Sequence, residues 1–176
     1  MTTETQPAQG QPKPSGPAPT RAILSSLEEV RAASVQVANT ATRLLAMYTR
    51  DLEPLVYDQP KFIDAIKKLV LARGYAKVRV LIADPAKTVY ESSRFIGLAR
   101  RITSYIEIRH AHPDFRVNRA AFLIADDRAI VYRSDASRWD GVLELSDAAV
   151  ARRYLDYFDE AWLGSAPHAE TRQLHL

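Results

Sequence analysis

The order of helix-like and strand-like segments constrains the fold of this chain more than any other feature of its sequence. In some segments the apolar residues recur at helical spacing, and in others they alternate with polar residues or form short runs. The predicted helices cover residues 22–39, 59–73, 85–103 and 147–163. The predicted strands cover residues 77–83, 105–109, 118–125, 129–134 and 142–145, and residues 43–51 form a further strand that runs into a loop.

This order predicts the architecture of the sheet. Strands that alternate with helices imply parallel neighbours joined by right-handed crossovers, and the short turns later in the chain imply antiparallel pairing. We therefore predict an α/β fold with one mixed parallel and antiparallel sheet, helices on both of its faces, and residues 142–145 as an edge strand. Asp84 is expected to cap the helix that starts at Pro85, and Gly97 to mark close packing within it.

Length and composition predict one globular domain with a tail. The chain has 176 residues, of which 47% are hydrophobic, enough to bury a substantial core. Residues 1–20 hold half of the ten prolines and almost no large apolar side chain, which is typical of disordered segments. We predict a disordered Pro-rich tail over residues 1–20, a domain over residues 21–164 and a C-terminal extension over residues 165–176.

Composition also excludes several classes of function. The chain has no cysteine, which rules out disulfides, zinc sites that use thiolates and a thiol nucleophile. It shows neither a signal peptide nor an apolar run near the roughly 20 residues that span a bilayer, so a cytoplasmic protein is expected. The formal charge is only +3, with 24 basic residues interleaved with 21 acidic ones, so nucleic acid is not an expected partner.

The segment from Asn118 to Ser134 carries the most chemical information. Its two predicted strands join at Asp126-Asp127-Arg128. This segment resembles the strand pair that carries His-x-Lys-x-x-x-x-Asp in phospholipase D-like enzymes, where a Gly-Ser pair follows about one strand later. Aligned on that motif, Asp126 keeps the acid, but Arg119 stands at the histidine position, Ala121 at the lysine position and Arg133-Ser134 at the Gly-Ser position.

The resemblance extends over residues 22–164 and implies a fold without its chemistry. The predicted order of elements is similar to one half of a phospholipase D-like protein, including a closing helix with Phe158 and Trp162. Active relatives need an imidazole nucleophile, a second imidazole from the other half, and lysines that hold the phosphate. Arg119 cannot be the nucleophile because its guanidinium stays protonated, and Ala121 has no group that binds phosphate.

We therefore expect a non-catalytic domain, without a cofactor, that binds an anionic ligand or a protein partner. Asp126 is interpreted first as a turn residue. The chain is also similar to an uncharacterised bacterial family with Tyr-Thr-Arg-Asp-Leu-Glu-Pro, here residues 48–54, and a closing Leu-His-Leu, here residues 174–176. That family is associated with acetyltransferases, so the resemblance implies an acetyltransferase as a partner. A homodimer is the other protein partner implied, because active single-half relatives complete their site as dimers.

Charged residues near strand ends are candidate ligand contacts. Arg50 and Arg109 end strands and Arg119 begins one, and guanidinium groups suit phosphate or carboxylate. Asp51 and Asp84 follow two expected parallel strands, where ligands bind in open α/β sheets. These carboxylates could hold Mg²⁺, act as acid and base, or cap helices. The predicted ligand-binding residues are Arg50, Asp51, Asp84, Arg109, Arg119 and Asp126, and no catalytic or metal-binding residue is assigned.

An alternative function remains open at this point. His110 and His112 are close enough to share one face of a strand and bind a metal, although the adjacent Pro113-Asp114 favours a solvated loop. Together with Asp51 and Asp84, they would allow a metal-dependent or phosphodiester-cleaving enzyme with relocated catalytic residues.

Overall fold

The computed structural model describes residues 20–88 and 93–167. Its strands are β1 (Arg21–Leu24), β2 (Leu44–Thr49), β3 (Lys77–Ile82), β4 (Ile106–His110), β5 (Ala121–Ala125), β6 (Ala129–Arg133), β7 (Gly141–Glu144) and β8 (Ala166–Pro167). Its helices are α1 (Leu27–Thr40), α2 (Pro54–Tyr57), α3 (Pro60–Ala72), α4 (Arg94–Arg101), α5 (Pro113–Arg116) and α6 (Ala148–Gly164).

All eight strands form one mixed sheet with the order β1-β7-β6-β5-β2-β3-β4-β8. The strands β2, β3 and β4 are parallel, as the alternation with helices predicts. The other neighbours in the sheet are antiparallel, including β5 with both β2 and β6. The predicted mixed sheet is therefore confirmed.

Helices cover both faces of this sheet. Side chains of β2 alternate between the faces, so that Leu45 and Met47 join a core with α1, α3 and α4, whereas Ala46 and Tyr48 join a second core under α6. Every residue of β5 is buried, since it lies mid-sheet between these two layers. The prediction of helices on both faces is confirmed.

The first predicted helix begins too early. Residues 21–24 form β1, which pairs antiparallel with β7, and α1 begins only at Leu27. A capping box fixes this boundary, because the Ser26 side chain accepts a hydrogen bond from the Glu29 backbone N–H and the Glu29 carboxylate accepts one from the Ser26 N–H. As β1 covers β7, the prediction that residues 142–145 form the edge of the sheet is wrong.

The prediction of a single long helix after Pro85 is also wrong. A 3₁₀ turn covers Pro85–Lys87, and α4 begins at Arg94, where the Ser93 hydroxyl accepts a hydrogen bond from the Ile96 N–H. The Asp84 side chain makes no capping hydrogen bond. Gly97 is exposed, and a Cβ atom there would have no neighbour within 4 Å, so its predicted close packing is wrong too.

The ends of the chain are only partly described. Ser165 turns the chain from α6 into β8, which pairs with β4. Residues 1–19 and 168–176 lie outside the described residues, so the predicted tail over residues 1–20 and extension over residues 165–176 stay predictions. Within the two described ranges, no helix has the length and hydropathy needed to cross a bilayer.

Candidate functional site

Strand direction divides the predicted ligand contacts between two edges of the sheet. Arg50 and Asp51 follow β2, Asp84 follows β3, and Arg119 precedes β5, which runs antiparallel to β2 with Phe122 opposite Tyr48. These residues therefore lie at one end of the strands, which we call the carboxyl edge of the sheet because the parallel strands end there. Asp126 follows β5 and lies at the opposite edge, roughly 20 Å away along the strand.

Asp126 organises the turn between β5 and β6. Its backbone has a left-handed conformation with φ 54°, which Asp tolerates better than most residues. Its carboxylate accepts hydrogen bonds from the N–H groups of Thr42, Arg43 and Leu44 at 2.8–3.0 Å and from the Thr42 hydroxyl at 2.9 Å. Burial works toward a higher pKa for Asp126, but these hydrogen bonds outweigh it and hold the pKa below its ordinary value.

At the carboxyl edge, the predicted contacts are paired with neighbouring charges. Arg119, whose side chain is 76% exposed, lies 2.6 Å from the Asp135 carboxylate. Arg50 Nη2 lies 3.4 Å from Asp51 Oδ2, and its buried Nε donates no hydrogen bond within the described residues.

Asp84 completes this set of pairs. Lys87 Nζ lies 2.9 Å from Asp84 Oδ2, and the hydrogen bond from Lys87 holds the pKa of Asp84 below its ordinary value. Arg50, Asp51, Asp84 and Arg119 therefore each lie beside a side chain of opposite charge.

Arg109 serves the end of α6. Its Nη1 donates a hydrogen bond of 2.9 Å to the Trp162 carbonyl, and its guanidinium lies 4.2 Å from the centre of the Trp162 ring. Its Nε pairs with Glu107 at 2.8 Å. A cation at the carbonyl end of a helix is a stabilising contact, which gives Arg109 a role in the fold.

The two neighbouring histidines belong to different elements of the fold. His110 is the last residue of β4, and the half-exposed His112 accepts a hydrogen bond of 3.4 Å from the Asp114 N–H at the start of α5. Among residues 20–88 and 93–167, no group of three or more His, Asp or Glu side chains is arranged to hold a metal ion.

Within residues 20–88 and 93–167, the most deeply buried charges are a pair that sequence reasoning missed. Arg133, at the end of β6, is 2% exposed, and its Nη2 hydrogen bonds to Glu53 Oε1. Arg133 Nη1 also donates to the carbonyls of Ala136 and Arg138 at 3.0 and 2.8 Å, and the guanidinium lies over the Trp139 ring. Each end of the Arg133 guanidinium is therefore engaged by the protein itself.

Glu53 reaches this position through a loop with unusual backbone geometry. Leu52 and Glu53 both have positive φ angles, 67° and 36°, directly before Pro54. The Glu53 carboxylate also accepts a hydrogen bond of 3.0 Å from the Thr49 hydroxyl. Burial raises the pKa of Glu53 above its ordinary value, against the opposite effect of Arg133. The sequence does contain one indication that Arg133 is buried, because its position in β6 places it on the same face as the apolar residues Ala129 and Val131.

The sequence matches one protein family over most of its length. A comparison with known families matches residues 26–174 to the domain of unknown function DUF7931. The chain belongs to the DUF7931 family. A comparison with curated proteins finds no match.

Solved structures share the fold of this DUF7931 chain. They include TrmBL2, an archaeal chromatin protein described with a novel mode of DNA binding, at a TM-score of 0.64 and 15% identity over 91% of this chain. The DUF7931 chain spans only 57% of the TrmBL2 chain. Nuc, a phospholipase D family member from Salmonella typhimurium, and NucT from Helicobacter pylori match at TM-scores of 0.56 and 0.59, each at 14% identity over 84% of this chain and 98% of theirs. The DUF7931 chain therefore has a phospholipase D-like fold.

Two of the positions that the sequence resemblance aligns with the motif lie opposite each other on β5 and β6. Ala121, which the resemblance aligns with the lysine, is buried directly opposite Arg133, which it aligns with the glycine. On the other side of Arg133, a Cβ atom on Gly141 would lie 2.7 Å from Arg133 Cγ. The space around these positions is therefore filled by the Arg133 side chain.

Proposed function

We propose that this chain is a non-catalytic phospholipase D-like domain that acts by binding an anionic ligand. The observation that carries the proposal is the buried ion pair between Glu53 and Arg133 at the position of the Gly-Ser pair. A large side chain held by a carboxylate and two carbonyls occupies the place that glycine leaves open. Arg119 and Ala121 supply neither the nucleophile nor the phosphate-binding amine of the motif.

Hydrolysis of a chromogenic phosphodiester tests the catalytic half of the proposal. The purified chain should release no nitrophenolate from bis(p-nitrophenyl) phosphate, either in EDTA or with Mg²⁺, Mn²⁺ or Zn²⁺. Turnover in EDTA that Arg119→Ala abolishes would contradict the proposal. Turnover only with a metal, lost in Asp84→Asn, would favour the alternative enzyme with relocated residues.

A protein partner is a second candidate, favoured by an apolar groove. A cavity of about 540 Å³ lies between α1 and the α2–α3 region and is lined by Val35, Val56 and Pro60. The neighbouring Leu55 is 56% exposed. An exposed apolar groove of this kind suits a protein contact. Light scattering after size exclusion distinguishes a homodimer from a monomer, and co-purification with an acetyltransferase tests the other partner that the resemblance implies.

A further inference from the structure

We propose that a pocket at the start of β2 binds a small phosphate monoester. The pocket has a volume of about 290 Å³ and lies where the end of α1, the start of β2 and the turn between β5 and β6 meet. Its polar lining residues are Thr40, Thr42, Arg43, Asp126, Asp127 and Arg128. We call it the amino-edge pocket. The inference rests on the proposed function, because it gives the bound anion a site and a chemical class.

The pocket contains two arginines that form no ion pair within the described residues. Arg43 and Arg128 are exposed, and neither guanidinium has a hydrogen bond or an ion pair within 4 Å there, although the charge of Arg43 helps to hold the pKa of Asp127 below its ordinary value. At the carboxyl edge, by contrast, Arg50 and Arg119 each lie beside a carboxylate. An anion in the amino-edge pocket would therefore displace water from two guanidinium groups without breaking a close ion pair, and it would compete only with the weaker attraction of Arg43 for Asp127.

The other polar groups of the pocket are already engaged. Asp126 accepts four hydrogen bonds from residues 42–44, and Asp127 Oδ2 accepts two from Arg152, at 2.9 and 3.1 Å. The Thr40 hydroxyl donates to the Val37 carbonyl at 2.8 Å. The two guanidinium groups are consequently the donors left for a ligand.

Charge and shape favour a small phosphate over other anions. The two arginines and two aspartates of the lining cancel formally, and Arg152 beside Asp127 leaves an excess of one positive charge. One guanidinium group can donate two parallel hydrogen bonds to two oxygens of a phosphate, which gives each arginine a directional contact. The volume exceeds that of a single tetrahedral anion, so a small organic group fits beside the phosphate. A concave pocket built from three chain segments suits a small molecule better than an extended backbone.

Calorimetric titration of the full chain with phenyl phosphate at fixed ionic strength tests the inference. Wild-type protein should bind, and Arg43→Gln and Arg128→Gln should each weaken the affinity about tenfold or more, because each removes a charge-assisted contact. Arg138→Gln is the matched control, since Arg138 is also exposed but lies outside the pocket, and its affinity should equal that of wild type. Thermal unfolding of each variant verifies that the fold is retained.

Each other outcome overturns the inference in a distinct way. Absence of phenyl phosphate binding by wild-type protein removes the site, while the hydrolysis assay still judges the proposed function separately. Loss of binding in Arg119→Gln, with Arg43→Gln and Arg128→Gln unaffected, moves the anion to the carboxyl edge and leaves the proposed function standing. Tighter binding of a DNA duplex than of phenyl phosphate, lost in Arg43→Gln, would assign the arginines to nucleic acid instead.

Discussion

At the scale of single residues, Glu53 and Arg133 show how a charged pair can become part of a core. Removing two charges from water is unfavourable, so the pair remains buried only because hydrogen bonds satisfy both groups. Their effect on the free energy of folding is therefore asymmetric. The intact pair adds little net stability, whereas loss of one partner leaves an uncompensated charge inside the protein.

A double-mutant cycle measures this asymmetry. Arg133→Met and Glu53→Gln should each lower the free energy of unfolding by about 3 kcal/mol, and the double variant should lose far less than their sum. Urea unfolding at pH 7 provides the measurement. The exposed pair Arg138 and Asp140, at 2.9 Å, is the control and should show a coupling below about 0.5 kcal/mol. Additive effects of Glu53 and Arg133 would show that the buried pair is not coupled.

Asp126 gives a prediction for pH dependence. Because its pKa is lower in the folded than in the unfolded chain, it stabilises the fold above its ordinary pKa of about 3.8, and this contribution is lost as the pH falls through the folded value. Asparagine also tolerates the left-handed backbone, so Asp126→Asn removes the charge without straining the turn. It should cost about 1–2 kcal/mol at pH 7, allowing for partial exposure to solvent, and less at pH 3. A cost that urea unfolding finds equal at both pH values would contradict this role.

At the scale of elements, the contact between β6 and β7 depends on one glycine. A Cβ atom on Gly141 would lie 2.7 Å from both the Tyr132 carbonyl oxygen and Arg133 Cγ, and the backbone atom cannot easily move. Gly141→Ala should therefore lower the free energy of unfolding by about 1–3 kcal/mol. Gly97→Ala, in an exposed part of α4, should raise it by about 0.5–1 kcal/mol, because alanine favours helices. If denaturant unfolding gave the same change in the free energy of unfolding for Gly141→Ala and Gly97→Ala, the clash at Gly141 would not be the cause of its effect.

Long periodic elements could be predicted from the sequence, and short elements could not. The strand β3 shows apolar alternation, the helices α3 and α6 show several turns of helical apolar spacing, and β2 is a continuous apolar run; the positions of all four are confirmed. The four residues of β1 are too few for a period, and their partner β7 lies more than 100 residues away in the sequence. In residues 85–103 the apolar spacing continued through a helix start that only the Ser93 cap reveals.

At the scale of the whole molecule, the order of strands decides which predicted residues meet. Arg50, Asp51, Asp84 and Arg119 share the carboxyl edge, because parallel and antiparallel strands end and begin there. Asp126 is carried to the other edge by the length of β5. Residue type alone could not predict the local pairing of these charges or the burial of Arg133, since both depend on contacts across the sheet and with the Glu53 loop.

The packing of the whole molecule is consistent with the proposed non-catalytic function, because the fold does not depend on the residues of the reaction. The sheet and its two helical layers use mostly apolar contacts, and the positions on β5 and β6 that the resemblance aligns with the motif lie within that packing. Ala121 and Arg133 are buried parts of the fold, and Arg119 is an exposed partner of Asp135.

The ³¹P NMR spectrum of a simple phosphodiester incubated with the full chain tests the central claim most directly. We expect the area of the diester signal to stay constant over days in EDTA, with no monoester signal above that of a sample without protein. Arg119→Ala should give the same spectrum. Growth of a monoester signal with the wild-type chain and its absence with Arg119→Ala would show that the carboxyl edge is still a reaction centre.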